Sequence, residues 1–313
     1  MSDALVYHAG GLGDFVLSVP ALQRLVEARP EAAWHYWGPR ERLLLLPGWR
    51  QAPPQLLRAG HSLWGGRPDP EAARWLSGAS TVVAFAADPP PWLPAGPRGI
   101  HLRSFPTGGD SHAAWVPQYQ ARQLAAVGVP RPPSAWLPRW REQVLPVRSA
   151  GRLLLHPGSG DRAKDLPVST WRVVVADLSR ELGCPPRILL GPVEQERGPA
   201  LSGWSAEQCT CSSLGELLAE LAGAALLLGN DSGVTHLAAA LGIPTVAVFG
   251  PSDPRIWRPL GGRVSVVSSG RVCSPCCSGP PVTCTHLACL TELPAASIVA
   301  AARRLVATAP HSD

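Results

Sequence analysis

A short polar turn followed by a histidine is the stretch of this chain best suited to hold a ligand. The turn runs from Gly229 to Gly233 (GNDSG) between an apolar run and a helical pattern. It therefore offers unpaired backbone N–H groups and the positive end of a helix dipole, an environment that suits a diphosphate. Asp231 is itself an anion, so it suits hydrogen bonds from sugar hydroxyls or backbone N–H groups. His236 lies on the same helix face as Ser232 and is a further substrate-binding candidate. The alternative is a partly buried histidine whose hydrogen bonds are made within the protein.

A second turn, at mid-chain, precedes a basic loop. Gly158, Ser159 and Gly160 supply a hydroxyl and backbone N–H groups, a combination that cradles phosphate. A plain strand–helix turn is the alternative. Lys164 and Arg162 follow, and a fixed ammonium group can stabilise charge on a diphosphate leaving group in place of a metal ion. Lys164 is the preferred phosphate ligand and Arg162 the second choice, against the alternative of solvated loop charges.

Two acidic residues follow predicted strands elsewhere. Gly11 and Gly13 let the backbone approach a ligand closely, and Asp14 comes directly after them. Alone, this turn is a weak signal because it lacks the full dinucleotide-binding pattern, and Asp14 also suits a helix N-cap. Glu194 is placed to accept hydrogen bonds from a ribose or an adenine, unless it is an exposed loop acid.

Four cysteines near the C-terminus have partly metal-like spacing. Cys273, Cys276, Cys284 and Cys289 give C-x2-C-x7-C-x4-C. The opening pair suits a tetrahedral zinc site, whereas the later spacings match no standard zinc finger. Structural zinc is therefore one hypothesis, and packed free thiols that hold the loop are the other.

The composition describes a globular protein. With 313 residues the chain is long for one core and suits two domains. A net charge of +5 is mild, and the basic residues are scattered, which argues against nucleic-acid binding but permits contact with a phospholipid surface. The N-terminal residues lack a signal-peptide pattern and no stretch is apolar enough to span a bilayer, so we expect a cytoplasmic protein.

Hydrophobic runs bounded by turns predict an α/β fold in two successive halves. The predicted strands are Ala4–His8, Ala33–Trp37, Thr81–Ala86, Gly99–Leu102, Leu153–His156, Arg187–Leu190, Ala225–Leu228, Thr245–Phe249 and Val264–Val267. The predicted helices include one from near Ser18 to about Arg29, Pro39–Leu46, Ala113–Val127, one from Val168, Leu214–Ala222, Val234–Leu241 and Ala295–Ala307. A segment from Gly128 to Ala150, rich in Pro, Arg and Trp, is the predicted linker between domains at 1–148 and 149–313. A single large sheet is the alternative.

Four motifs, in order over nearly the full length, resemble glycosyltransferase family 9, the ADP-heptose:lipopolysaccharide heptosyltransferases. They are GGLGDFVLSVPALQRL, LLLHPGSGDRAKDLP, GNDSGVTHLAAALGIPTVAVFGPSDPRIW and CSPCCSGPPVTCTHLAC. The resemblance implies a GT-B fold, with two Rossmann-like β/α/β domains facing across a cleft. The N-terminal domain would bind the acceptor and the C-terminal domain, with its Cys-rich loop and closing helix, the nucleotide-sugar. Inversion at the anomeric carbon without a catalytic metal or other cofactor is also implied.

The same resemblance assigns roles to residues. It makes Asp14 the general base, Asp231 a ligand of sugar hydroxyls, and Ser232 with the Gly233 N–H group ligands of the diphosphate. The donor would be ADP-heptose and the acceptor a lipid-linked saccharide of the lipopolysaccharide core, with peripheral contact at the inner membrane surface and no nucleic acid. One departure is Leu166, where the family has Trp in Lys-x-Trp-Pro. Another nucleotide-sugar or a non-lipid acceptor, or an inactive nucleotide-sugar-binding scaffold, are the alternatives.

Overall fold

A computed structural model describes residues 2–65, 69–106, 114–131, 136–146, 151–196, 206–277, 282 and 284–307. The chain forms two compact units. The first comprises Met1–Pro106 and Ala114–Val144, and the second is built on Leu145–Asp313. Within the described residues, no helix is long and apolar enough to cross a membrane.

The first unit is a parallel sheet of five strands with helices around it. The strand order is β3-β2-β1-β4-β5. The strands are β1 (Asp3–His8), β2 (Ala33–Trp37), β3 (Arg50–Gln51), β4 (Thr81–Phe85) and β5 (Gly99–Leu102). The helices are α1 (Leu12–Ala28), α2 (Pro54–Trp64), α3 (Pro70–Gly78), α4 (Val116–Ala126) and α5 (Trp136–Val144), with a 3-10 helix at Arg40–Leu45. Ala4, Leu5 and Val6 of central β1 are fully buried, which is why this strand is a continuous apolar run.

The second unit is a parallel sheet of six strands in the order β11-β10-β9-β6-β7-β8. The strands are β6 (Arg152–His156), β7 (Pro186–Leu190), β8 (Glu207–Thr210), β9 (Ala224–Asn230), β10 (Thr245–Val248) and β11 (Val264–Val267). The helices are α6 (Val168–Leu182), α7 (Pro192–Glu196), α8 (Leu214–Ala222), α9 (Gly233–Ala240), α10 (Pro254–Trp257), α11 (Ala288–Thr291) and α12 (Ala295–Ala307). Because β6, β9 and β10 are parallel neighbours, the turns that follow them meet at one edge of the sheet.

The structure differs from three local predictions. The segment predicted as a linker contains helix α5, because Trp140 is only 1% exposed and donates its indole N–H to the Leu45 carbonyl (2.8 Å). The helix predicted at Pro39–Leu46 is the 3-10 helix. Helix α1 begins at Leu12, before the predicted start near Ser18, so Asp14 lies inside its first turn.

Candidate functional site

A buried carboxylate with three side-chain donors is the centre of the site in the second unit. Asp231 directly follows β9 and is 6% exposed. Its Oδ2 accepts hydrogen bonds from Lys164 Nζ (2.9 Å) and Ser252 Oγ (2.7 Å), and its Oδ1 accepts one from His236 Nε2 (3.2 Å). The Asp231 backbone N–H donates to the Val248 carbonyl (3.0 Å) at the end of β10, which fixes the turn. The structure thus brings Lys164, Asp231 and His236 together as one cluster.

The charges in this cluster set the ionisation of Asp231. Burial alone raises the pKa of its carboxyl, but the hydrogen bond from His236 and the positive charge of Lys164 outweigh burial and hold the pKa well below its usual range. Asp231 is therefore ionised at neutral pH. The other ring nitrogen of His236, Nδ1, is buried and has no hydrogen-bond partner among the described residues. The Lys164 side chain is 22% exposed, so it is not sealed inside the unit as Asp231 is.

The loop after β6 positions the cation. Arg162–Lys164 form a single 3-10 turn, and the Asp161 side chain caps this turn by accepting from Ala163 N (3.0 Å). Arg162 lies in the same turn as Lys164. Since β6 pairs with β9, the loop and the Asp231 turn are neighbours at the carboxyl edge of the sheet.

The predicted phosphate cradle after β6 is a packed turn. Ser159 is 2% exposed, and its Oγ lies 2.7 Å from Asp165 Oδ1 and 2.6 Å from the Asp161 carbonyl. Gly158 abuts the carboxylate of Glu194, because a Cβ added there would lie 2.0 Å from Glu194 Oε1. Glu194 Oε2 in turn accepts the Gly191 N–H (2.8 Å). Glu194 is therefore partly buried against the cradle and is not the exposed loop acid of the alternative prediction.

Ser232, the residue after Asp231, lies at the start of helix α9. It is the N-cap of α9, where its Oγ accepts from Thr235 N (3.3 Å) and bonds to Thr235 Oγ1 (3.0 Å). Its hydroxyl thus stabilises the helix start. Gly233 is the first residue of α9 and presents its backbone N–H at the positive end of the helix dipole.

Asp14 lies in the first unit, at the start of α1. Its Oδ2 accepts the backbone N–H of the N-cap residue Gly11 (3.0 Å), so Asp14 is the third residue of the helix and not its N-cap. Gly13 lies beside it in the same first turn. This bond helps to orient the carboxylate at the carboxyl edge of the sheet, close after β1.

A buried polar network lies beneath Asp14. Ser18 Oγ donates to the Asp14 carbonyl (2.8 Å) and accepts from Gln120 Nε2 (2.9 Å). His8 Nε2 lies 3.2 Å from the same hydroxyl. Burial, and secondarily the charge of Arg42, lowers the pKa of His8 to about 3, so this imidazole is neutral at physiological pH.

Comparison with known proteins agrees with these motifs. The family model for glycosyltransferase family 9 (heptosyltransferase) matches residues 136–286. Lipopolysaccharide heptosyltransferase 1 of Pseudomonas aeruginosa is 26% identical over 320 residues, which cover 90% of this chain and 87% of that protein. The crystal structure of a family 9 glycosyltransferase from Veillonella parvula has a TM-score of 0.69 at 19% identity, with 98% of each chain covered. The E. coli ADP-heptose lps heptosyltransferase II has a TM-score of 0.63 at 18% identity, with 98% of this chain and 99% of that chain covered.

The resemblance to glycosyltransferase family 9 is confirmed. The chain is a glycosyltransferase, and the predicted GT-B fold class is confirmed as well.

Two site residues of this glycosyltransferase were not predicted from its sequence. Ser252 lies in the turn after β10 and bonds to Asp231. Asn230, at the end of β9, ties this strand to the segment after β6. Its Nδ2 donates to the Pro157 carbonyl (2.6 Å) and its Oδ1 accepts the Leu166 N–H (3.2 Å). Both residues follow predicted strands, and this position at the carboxyl edge of a parallel sheet is the sequence feature that could have identified them.

Leu166 packs inside the second unit. Its side chain is 1% exposed and belongs to the same hydrophobic core as Trp171 and Leu153. At this departure from the family's Lys-x-Trp-Pro, the side chain thus belongs to the core, while the backbone N–H donates to Asn230 Oδ1 (3.2 Å) in the site.

The cysteine loop of this glycosyltransferase is attached to the turn after β10. The backbone N–H groups of Cys276 and Cys277 donate to the Pro251 carbonyl (3.0 and 2.9 Å). The described cysteines are free thiols, and burial together with the neighbouring thiol of Cys277 raises the pKa of Cys276 to about 11. Across the described part of the chain, no group of three or more His, Cys, Asp or Glu is arranged to hold a metal ion, and residues 278–281 and 283 of this loop lie outside it. Zinc at Cys273, Cys276, Cys284 and Cys289 stays a prediction.

Proposed function

We propose that this enzyme transfers heptose from ADP-heptose to a hydroxyl of a lipopolysaccharide-core-type acceptor, with inversion at the anomeric carbon. The names of its relatives support the donor and the class of acceptor, since they include a lipopolysaccharide heptosyltransferase and an ADP-heptose heptosyltransferase. The observation that carries the proposal is the Lys164 ammonium group held on the buried Asp231 carboxylate at the carboxyl edge of a parallel sheet. We further propose that the enzyme acts in the cytoplasm on a lipid-linked saccharide at the inner membrane surface.

The donor half of the mechanism uses the second unit. The diphosphate would meet the N–H group of Gly233 at the start of α9 and the ammonium group of Lys164. As the bond to the sugar breaks, negative charge grows on the diphosphate, and a fixed cation stabilises that charge more in the transition state than in the ground state. Asp231 holds the cation in place and would also accept hydrogen bonds from hydroxyls of the sugar. Ser159 and Arg162 would complete the surroundings of the phosphates, and Glu194 would accept hydrogen bonds from the nucleoside.

The acceptor half uses the first unit. Asp14 would take the proton from the attacking hydroxyl, and an inverting displacement needs only one such base. An aspartate carboxylate is normally ionised at neutral pH, so it is ready to accept a proton. The hydrogen bond from Gly11 to Oδ2 fixes the direction of the carboxylate before the acceptor binds. In this proposal the reaction needs no metal ion, because Lys164 supplies the positive charge.

Two variants in EDTA-containing buffer test the function. Turnover and binding of ADP-heptose are measured for the wild type, Asp14→Asn and Lys164→Met. Asp14→Asn should lose turnover by about a hundredfold or more while it still binds the donor, because the amide oxygen can keep the Gly11 bond. Lys164→Met should weaken donor binding itself. Absence of ADP-heptose binding in the wild type would remove the proposed donor. Binding without turnover on any core acceptor would favour an inactive scaffold.

A further inference from the structure

Four aromatic side chains of the first unit form a cluster that the proposed mechanism does not use. Tyr7, Trp37, Trp64 and Trp92 (the aromatic cluster) lie with ring centroids 5.0 to 5.9 Å apart in five ring pairs. Tyr7 contacts each of the three tryptophans. The rings meet mostly edge to face or tilted, the geometry that aromatic pairs prefer.

The cluster lies at the ligand-binding edge of its sheet. Tyr7 is the penultimate residue of β1 and Trp37 the last residue of β2, while Trp92 belongs to the loop after β4. Trp64 is the last residue of α2. Open parallel sheets bind ligands beyond the carboxyl ends of their strands. The turn that carries Asp14 follows β1 at the same edge, so the aromatic cluster and the proposed base share it.

The cluster is more than part of the hydrophobic core. Trp37 and Trp92 are buried, but Trp64 is 44% exposed and Tyr7 is half-buried. Among the described residues, Trp92 Nε1 is buried without a hydrogen-bond partner. Buried Trp and Tyr polar groups usually find a partner. Burial raises the pKa of Tyr7, so its hydroxyl stays protonated and can donate.

We propose that the aromatic cluster is a saccharide subsite for the acceptor, in which a sugar ring stacks on the exposed face of Trp64 and a sugar hydroxyl bonds to the Tyr7 hydroxyl. This inference rests on the proposed function, because it assumes a glycan acceptor for Asp14. The subsite would bind a part of the acceptor other than the reacting hydroxyl. It would therefore set acceptor affinity and leave the chemical step to Asp14 and the donor residues.

The chemistry of the cluster favours a sugar over the other parts of a glycolipid. None of the four side chains carries a charge, so nothing in the cluster itself attracts a phosphate. An alkyl chain would cover the rings but would offer the Tyr7 hydroxyl no acceptor, and a donor covered without an acceptor costs free energy. A sugar has an apolar ring face and hydroxyl groups at its rim, and it can meet both requirements.

The test is acceptor kinetics and tryptophan fluorescence with a deacylated lipopolysaccharide-core oligosaccharide as the probe. Trp64→Ala should raise the acceptor KM about tenfold, and Tyr7→Phe should raise it about fivefold. Trp64→Phe should restore most of the affinity, because the stacking ring returns. The kcat and the KM for the donor should stay unchanged in all three variants. Leu57→Ala is the matched control, since Leu57 is a 45% exposed apolar residue on the same helix.

Each alternative outcome is distinct. An acceptor KM that Trp64→Ala leaves unchanged, or that Leu57→Ala raises equally, overturns the subsite while transfer itself still supports the proposed function. If the oligosaccharide quenches fluorescence through Trp64 but no heptose is transferred, the subsite stands and the proposed function fails. Dependence on Trp64 only with an intact, acylated acceptor would assign the cluster to the lipid and overturn the saccharide assignment.

Discussion

Lys164 Nζ lies 2.9 Å from Asp231 Oδ2, so the cation proposed to meet the donor diphosphate is already paired with a buried carboxylate. This carboxylate also accepts hydrogen bonds from Ser252 and His236, so its position does not depend on Lys164 alone. The pair therefore keeps Lys164 in place. Because Asp231 shares its negative charge among three donors, the Lys164 ammonium group can still interact with an incoming anion.

Lys164→Met should destabilise the folded protein by about 2 kcal/mol at neutral pH, because it leaves the Asp231 carboxylate buried without its cation. Urea unfolding of the purified variant measures this. Arg180→Met is the control, since Arg180 pairs with Asp177 on the surface and should cost less than about 0.5 kcal/mol. Equal losses in the two variants would contradict a special role for the buried pair.

The same pair predicts a pH dependence. The folded-state pKa of Asp231 is lowered, so its contribution to stability is present above the unfolded value of about 3.9 and is lost as the pH falls through the folded value. The stability difference between the wild type and Asp231→Asn should thus be constant from pH 5 to 8 and shrink below about pH 4. A stability difference that grows on acidification would contradict a lowered pKa for Asp231 in the folded protein.

Gly158→Ala should weaken donor binding, whereas Gly160→Ala should not. A Cβ at Gly158 would lie 2.0 Å from Glu194 Oε1, while a Cβ at Gly160 meets nothing within 4 Å. The displaced Glu194 also loses its bond to the Gly191 N–H. Because the carboxylate is the end of a flexible side chain that can move aside, we expect a small stability loss for Gly158→Ala but a clear rise in the donor dissociation constant by calorimetry. Similar donor affinities in the two variants would show that Glu194 does not contribute to donor binding.

His8 should make the protein acid-sensitive. Its folded-state pKa of about 3 lies below the ordinary value of 6.5, so the unfolded chain binds a proton that the folded chain rejects. Stability is full above about pH 6.5 and falls by up to about 1.4 kcal/mol per pH unit from there toward pH 3. In His8→Gln this part of the slope should disappear, and in the partly exposed control His101→Gln it should remain. An unchanged slope in His8→Gln would show that His8 is not the group that titrates.

Cys276 should react slowly with iodoacetamide at neutral pH although it is exposed. The thiolate is the reactive form, and the pKa of Cys276 is raised to about 11, so its rate should rise about tenfold per pH unit until that value. Site-resolved mass spectrometry measures the rate, and Cys276→Ser identifies the peptide. Modification that appears only after chelator is added would show a bound metal ion and confirm the zinc prediction in place of free thiols.

The elements around Asp231 could be predicted because their signals are local. Buried apolar strands followed by glycine-containing turns are evident at β6, β9 and β10. The turns after β6 and β9 supplied candidate residues, whereas the turn after β10 supplied none. The family motifs added the fold class. The Lys164–Asp231 pair could not be predicted, since its members are 67 residues apart and meet only because β6 pairs with β9.

The misses have physical causes. Helix α5 was hidden because proline and arginine surround Trp140, whose burial against Leu45 is a tertiary effect. Helices α2 and α3 were not predicted from the sequence, although Asp69 followed by Pro70 is a helix-start signal and Asp69 indeed caps α3. Ser252 was missed because its partner Asp231 belongs to a different strand–turn unit.

The hydrogen bonds from the Cys276 and Cys277 amides to Pro251 connect the site to a surface position that can carry a fluorescent dye. Together with the bond from Ser274 Oγ to the Gly250 carbonyl (2.6 Å), they join the cysteine loop to the turn that holds Ser252 against Asp231. We therefore expect a displacement of that turn to move the cysteine loop as well. An environment-sensitive dye on the exposed Cys273 would then change its emission when a nucleotide-sugar arrives, and the natural chain already contains the labelling position.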